Sequence, residues 1–554
     1  MSGTTPDSTA PSSPPTKEEV RAPSVAERLS RSVSSSTAAN LAHYLSLAVA
    51  VGVLVYVSRA QWFFYDEWAF IWDPQTELWA GHGGHWSTVP ILIWMAVQAL
   101  FHLGSYAPFM MLVIVVHVLT AHLLWRIMKS SGSSPWVATA VATVFLLLGA
   151  GSENLLWAFQ FAFIGAIACA LGALLFAMRP SLTVWSGIAI ATLLLLGAAT
   201  SATALPFFLP VALVLWRLHG WKRTAACLAM PAVVYLVWLV LIAGPNSNAP
   251  LQAHGVDILL VPEFAGAMFV NGLGIVVPVP YLGAAIVAGL GVAAMLILRS
   301  KPRVGSVIAV SMLAAGVCFS FLTGFSRWGT GIAAASSSRY LYVIVLAVAP
   351  LAAFMLTKAA RGWWARSFVV FLVVAIVGVY NVGLLVQNAR VEAAREEATH
   401  EAVSAGIAML KLYPTQTHVD LSPEPNYLPT MSLGKLDVLH REQGLSTISY
   451  SDTAWLTAVI NVGLTVNSEA SAPSAQCASA TVVGQRLSAD DALVTTRPLQ
   501  ITLVAVNSSD VVGNPRTISL TAGTHRFHAV DGTTLLITAT SAPDRVCVAE
   551  GTNQ

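Results

Sequence analysis

Between residues 41 and 386 the chain returns repeatedly to apolar runs of about 20 residues with almost no charge, the length at which an α-helix crosses a bilayer. Lipid offers a backbone no hydrogen-bond partners, so such runs fold as helices that satisfy their own peptide groups. An ordinary soluble enzyme is excluded: 56% of the 554 residues are hydrophobic, 10% are charged, and mean hydropathy is +0.68. The net charge of +2 says little about partners, and no basic patch of the kind that binds nucleic acid stands out.

We predict eleven spans, at 41–58, 107–128, 135–150, 155–178, 182–199, 202–216, 224–243, 281–298, 304–322, 341–356 and 367–386. Lys and Arg gather on the side that is retained in the cytoplasm. One set of loops holds Arg126, Lys129, Arg179, Arg217, Lys222, Arg223, Arg299, Lys301, Arg303, Lys358, Arg361 and Arg366. The other holds only Arg59, Arg327 and Arg339. The expectation is a multi-pass protein of the plasma membrane, with its N-terminus cytoplasmic and its C-terminal part outside. Residues 89–103 are apolar but short, and a crossing there would invert every later loop. They read as an amphipathic helix lying on the outer surface.

The flanking regions differ in composition. Residues 1–40, rich in Ser, Thr, Pro and Ala, read as a disordered cytosolic tail. The membrane part, 41–387, is expected to be all-α. Residues 388–412 read as a charged linker helix, and 413–554 as an extracytoplasmic β-rich domain of short strands between Gly, Asn, Asp and Ser. Cys169, Cys227 and Cys318 fall in spans as small packing residues. Cys477 and Cys547 lie outside and predict one disulfide, with two buried free thiols as the alternative.

Chemistry concentrates just after the first span, in Trp62-Phe63-Phe64-Tyr65-Asp66-Glu67-Trp68. Two adjacent carboxylates among interfacial aromatics are costly unless they face water, a cation or a substrate. The plain alternative is a solvated acidic cluster, since Asp73 and Glu77 follow. A second outer acid, Glu153, stands in Gly149-Ala150-Gly151-Ser152-Glu153-Asn154, with Trp157 and Gln160 close behind as sugar-binding candidates. His82 and His85 are spaced as H-x-x-H but on a Gly-Gly turn, which lacks the geometry of helical zinc motifs. His85 and Trp86 read instead as substrate contacts at a cavity rim. Arg339, and with less force Arg327, break the charge bias on the outer side, where a guanidinium can grip a phosphate through two bonds.

The acidic pair after the first span, the turn His82-Gly83-Gly84-His85-Trp86-Ser87-Thr88-Val89-Pro90 and the acid at Glu153 resemble the GT-C class of polytopic glycosyltransferases. The layout is similar to protein O-mannosyltransferases, the lipid A aminoarabinose transferase and actinobacterial arabinosyltransferases. The resemblance implies a polyprenyl-phosphate sugar donor, an extracytoplasmic glycan, lipid or protein acceptor, and a role in cell-wall biogenesis. In a direct displacement at the anomeric carbon the acceptor hydroxyl sheds a proton, and a carboxylate accepts it. Asp66 is our choice for that base, with inversion as the outcome. Glu67 and Glu153 would orient the acceptor, or the acids, Asp66 and Glu153 first, would hold a divalent ion such as Mg or Mn. Tyr65 joins the expected substrate contacts. The rival class is a transporter or flippase of a lipid-linked saccharide, which would favour internal repeats and ionisable groups at mid-membrane depth. A third reading is a structural or sensory protein whose β-rich part binds ligands.

Overall fold

Where the sequence runs apolar for a membrane's width, the backbone is helical. The computed structural model describes residues 36–243, 259–277, 279–300, 303–361, 364–469, 482–488, 491–541 and 546–549. In chain order its α-helices of six or more residues are α1 (Ser36–Ser58), α2 (Glu67–Trp72), α3 (Pro74–Ala80), α4 (Thr88–Phe101), α5 (Ala107–Ser130), α6 (Pro135–Leu146), α7 (Phe161–Ala177) and α8 (Val184–Thr200). There follow α9 (Phe208–His219), α10 (Trp221–Trp238), α11 (Leu260–Val276), α12 (Leu282–Arg299), α13 (Val304–Arg327), α14 (Ser338–Ala359), α15 (Trp364–Leu412), α16 (Leu433–Gln443) and α17 (Asp452–Val462).

Among the described residues nine helices are long and apolar enough to cross a membrane, and the chain is a multi-pass membrane protein. Nine of the eleven predicted spans coincide with them. The other two form shorter helices: α6 has 12 residues and α8 has 17. Pro135 at the start of α6 and the turn at Gly149–Gly151 beyond its end trim the first of these. Their starts are set by side chains that satisfy orphaned amides. Ser134 Oγ accepts from Val137 N at 3.3 Å, and Thr183 Oγ1 from Ser186 N at 3.1 Å. α7 packs against α5 and α8, and α14 against α13. α11 lies against α12, α13 and α14.

Three expectations are corrected. Helix α1 begins at Ser36, so 36–40 are helical rather than part of a disordered tail, while residues 1–35 lie outside the described residues. The linker is no separate element: α15 runs unbroken for 49 residues, roughly 75 Å, from the last span outward. The segment 413–463 is also not β-rich, since α16 and α17 occupy most of its second half. Ser432 and Ser451 cap these two helices.

Beyond them come β1 (Leu464–Glu469), β2 (Arg486–Leu487), β3 (Ala492–Thr495), β4 (Leu499–Val506), β5 (Arg516–Leu520), β6 (Gly523–Ala529), β7 (Thr534–Thr540) and β8 (Val546–Ala549). They form two four-stranded antiparallel sheets, ordered β1-β6-β3-β8 and β2-β7-β4-β5. Leu493, Ile501, Leu503, Phe527, Leu535 and Ile537 are buried in this region. Cys547 is buried on β8, and its expected partner Cys477 lies outside the described residues.

The loop between α1 and α5 ties the two parts together. Trp62 N donates to Glu396 Oε2 at 2.6 Å, and Leu103 N to Gln443 O at 3.0 Å. The Phe64 ring lies 5.7 Å from that of Tyr427. Helix α4 has 14 residues, too few to cross a bilayer. It buries Ile91 and Trp94 and leaves Leu92, Ile93, Leu100 and Phe101 exposed.

Candidate active site

Asp66 owes its position to a strained turn. Tyr65 has φ +48°, a left-handed conformation that a side chain makes unfavourable by about 1–2 kcal/mol. Glu67 N donates to Phe64 O at 3.2 Å, and Phe64 N donates back to Glu67 Oε2 at 2.8 Å, closing the turn from both sides. Asp66 is left half-buried at the start of α2, on the wall of a cavity of about 490 Å³.

That cavity gathers residues scattered over 275 positions of sequence. Asp66, His82, His85, Gln160, Arg327 and Arg339 supply its polar wall. Phe159, Phe163, Leu205, Pro206 and Leu239 join Phe319, Leu322 and Tyr340 to make the rest chiefly apolar. Five predicted site residues therefore meet there: Asp66, His85, Gln160, Arg327 and Arg339.

The histidine turn forms one rim. His82 and His85 exchange backbone hydrogen bonds of 2.9 Å, and His82 Nε2 stands 3.7 Å from Asp66 Oδ1. Arg327 reaches over the turn, Nη2 donating to Gly83 O at a long 3.4 Å. His85 lies deeper, its Nδ1 3.3 Å from Ser201 Oγ and its ring edge-on to Phe163. Burial pushes its pKa down to about 4, helped by the nearby Arg327, His82 and Arg339, so it is a neutral imidazole at neutral pH.

Two polar groups aimed at this space are unpaired. Gln160 is fully buried, and neither its amide oxygen nor its amide nitrogen has a hydrogen-bond partner in the protein. Leaving a buried polar group unsatisfied costs about 1–3 kcal/mol, a penalty a bound ligand can remove. Arg339 Nε is likewise buried without a partner, while its guanidinium lies 5.3 Å from the Tyr340 ring centre.

The other predicted site residues stand behind this wall or beside it. Glu67 is fully buried and does not line the cavity. Its Oε1 accepts from Tyr106 Oη at 2.7 Å and from Phe159 N at 3.0 Å. Tyr106 Oη in turn accepts from Ala158 N at 2.8 Å. Burial pushes the Glu67 carboxyl up to about 8 against the pull of these donors, and pushes the Tyr106 phenol up too. Glu67 thus clasps the Asp66 turn to the segment carrying Phe159 and Gln160. Glu153 is also absent from the lining: its Oε2 accepts from Ser337 Oγ and Arg339 N, both at 2.9 Å. Trp86 faces away from the cavity, its ring parallel to that of Trp238 at 5.2 Å, and fastens the histidine turn to α10. Tyr65 is 47% exposed and outside the lining.

Sequence reading missed Tyr106 and Glu396. No local signal marks Tyr106. Glu396 sits one turn before Thr399 and His400 and two before Val403, on the buried face of α15, a spacing legible in the sequence.

The described residues hold no group of three or more His, Cys, Asp or Glu side chains placed to enclose a metal ion. Asp66 lines the cavity wall, while Oε2 of Glu153 is already engaged by protein donors.

Fold and cavity together describe a multi-pass membrane protein with a cavity lined by anionic, cationic and apolar side chains. Two solved structures resemble the chain in overall fold. One is ArnT from Cupriavidus metallidurans bound to undecaprenyl phosphate, 14% identical, with 75% of this chain and 87% of that chain covered and a TM-score of 0.44. The other is the same protein in the apo state, 15% identical, with coverages of 74% and 89% and a TM-score of 0.45. Likeness at this level carries no argument about chemistry. No family model matches the sequence, and no curated protein does.

Proposed function

We propose that the protein is a membrane glycosyltransferase that moves a sugar from a polyprenyl-phosphate donor to an extracytoplasmic acceptor. The observation that carries this reading is that the Asp66 carboxylate shares one cavity with Arg327 and Arg339 while apolar side chains make up much of its wall. An anionic phosphate needs the guanidinium groups, an isoprenoid chain needs the apolar wall, and an attacking hydroxyl needs the carboxylate.

The acceptor oxygen attacks the anomeric carbon as Asp66 takes its proton. The bond from that carbon to the phosphate oxygen breaks, and its electron pair leaves with the lipid phosphate. Arg339 and Arg327 hold the growing charge, so the leaving group needs no protonation by a second acid. Attack from the face opposite the phosphate inverts the anomeric centre. Gln160 offers a donor and an acceptor to sugar hydroxyls, and the neutral His85 bounds the site without adding charge. Glu67 and Glu153 act as positioning residues, the first for the Asp66 turn and the second for Arg339.

The test is transfer of labelled sugar from a polyprenyl-phosphate donor by the full-length protein in detergent. Asp66→Asn keeps the shape but removes the basicity, and should lower the rate by roughly 10²–10⁴-fold with folding retained. Transfer near the wild-type rate rejects Asp66 as base. Movement of the donor across reconstituted vesicles without any glycosidic product would favour a lipid-linked saccharide transporter.

A further inference from the structure

The end of α1 opposite the Asp66 loop carries a second concavity of about 670 Å³. It lies between the start of α1, the last turns of α5, and the end of α7 with the residues after it. Arg126, Lys129 and Arg179 line it together with His122, and among the described residues no Asp or Glu does. The floor is aromatic. The Trp125 ring is stacked parallel to that of His43 at 4.0 Å, and the Lys129 ammonium stands 3.4 Å from its ring centre. Asn40 Oδ1 accepts from Lys129 Nζ at 3.2 Å, so that ammonium is held in place, while Arg126 and Arg179 are exposed at the mouth.

The surroundings decide what such a pocket takes. Leu175 and Met178 form its apolar edge. Beside Tyr44, Leu41 and Leu45 are 70% and 63% exposed on the adjoining face of α1, and Val49 continues that stripe along the span. A charged bowl thus opens directly onto a lipid-facing apolar strip. A soluble anion would use the bowl alone, whereas a lipid uses both.

We propose that this pocket binds the phosphate of an anionic phospholipid, headgroup among Arg126, Lys129 and Arg179, acyl chains along Leu41, Leu45 and Val49. On the charge-derived orientation this is a lipid of the cytoplasmic leaflet. The site is separate from the sugar-transfer cavity and does not rest on the function proposed for it. Juxtamembrane Lys and Arg attract anionic lipid by about 1 kcal/mol each. Removal of two therefore weakens binding by roughly ten- to thirtyfold.

The experiment is native mass spectrometry of the full-length protein titrated with phosphatidylglycerol or with phosphatidylcholine of the same acyl chains. Phosphatidylglycerol should bind more tightly, and Arg126→Gln with Arg179→Gln should lose that preference. The pair Arg361→Gln with Arg366→Gln, basic positions that the charge pattern puts on the same side but outside the pocket, should keep it. Should the pocket pair fail to fold, Ser130→Glu, which puts a carboxylate at the rim, gives the same readout. Inorganic phosphate alone should displace the lipid weakly. Equal loss in both arginine pairs, absence of a phosphatidylglycerol preference, or displacement by phosphate as effective as by lipid would each overturn the proposal.

Discussion

Glu153 grips Arg339 by its backbone: the carboxylate oxygen Oε2 accepts from Arg339 N at 2.9 Å and from Ser337 Oγ at the same distance. Ser338 Oγ completes the clasp by accepting from Glu153 N at 3.1 Å. The start of α14 is thereby fixed against the turn at Glu153, and the guanidinium side of Arg339 is left for the cavity. Asn154 Nδ2 adds a bond to Arg339 O at 2.9 Å.

Glu153→Ala should therefore weaken donor binding rather than the chemical step. A hydrogen bond to a charged group contributes about 1.5–3 kcal/mol, so the donor KM should rise about 10- to 100-fold with kcat nearly kept. Glu153→Gln retains an acceptor oxygen and should cost less than about tenfold. A fall in kcat at unchanged KM would instead place Glu153 in the chemistry.

The caged Glu67 predicts a pH dependence. Its folded pKa, about 8, is raised above the usual 4.5 by burial, so the folded loop holds a proton that the unfolded chain releases. The resulting stability is complete below about 4.5 and is lost as pH rises through about 8. Thermal unfolding of the wild type should show a falling midpoint across that window, and Glu67→Gln, which cannot ionise, should flatten it. An identical slope in both proteins would remove Glu67 as the cause.

Gly81 supports the histidine turn by having no side chain. Its φ is +89°, and a Cβ there would stand 2.7 Å from His85 O and 2.9 Å from Trp238 Cζ2. Gly81→Ala should destabilise by roughly 1–3 kcal/mol and lower transfer with it. Gly83→Ala, at φ +56° but in open space, should cost less. Calorimetry and the transfer assay on the two variants give the comparison.

Orientation is open to labelling. Cysteines introduced at Ser105 and Ser508, both exposed, should react with an impermeant maleimide in intact cells, while one at the exposed Ser130 should not. Reaction at Ser130 with protection of Ser105 inverts the protein and removes the extracytoplasmic acceptor.

Hydrophobic length was enough to find most of the membrane helices, because a bilayer demands it of every span regardless of neighbours. The β-rich character of the region after residue 463 was equally plain, from short strands between turn residues. The shortness of α6 was less so, since the turn at Gly149 is set by contact with α15: a Cβ there would collide with the Asn381 backbone. Asp66, Arg327 and Arg339 announced themselves by position, two cations breaking a charge bias and an acid among aromatics.

What the sequence could not separate was acids that face the cavity from acids that hold it up. Glu67 adjoins Asp66 in the chain, yet the rotation of about 100° between successive helical residues points it at Tyr106 and Phe159 N instead of at the cavity. Trp86 and Glu153 likewise carry chemistry-capable groups that packing turned to Trp238 and to the Arg339 backbone. Composition determined that this chain enters a membrane, because lipid acts on each segment alone, and the charge bias predicts the side on which its acids lie. Which side chains share one wall depended on helices far apart in sequence closing around a common space, and only the tertiary structure decided that.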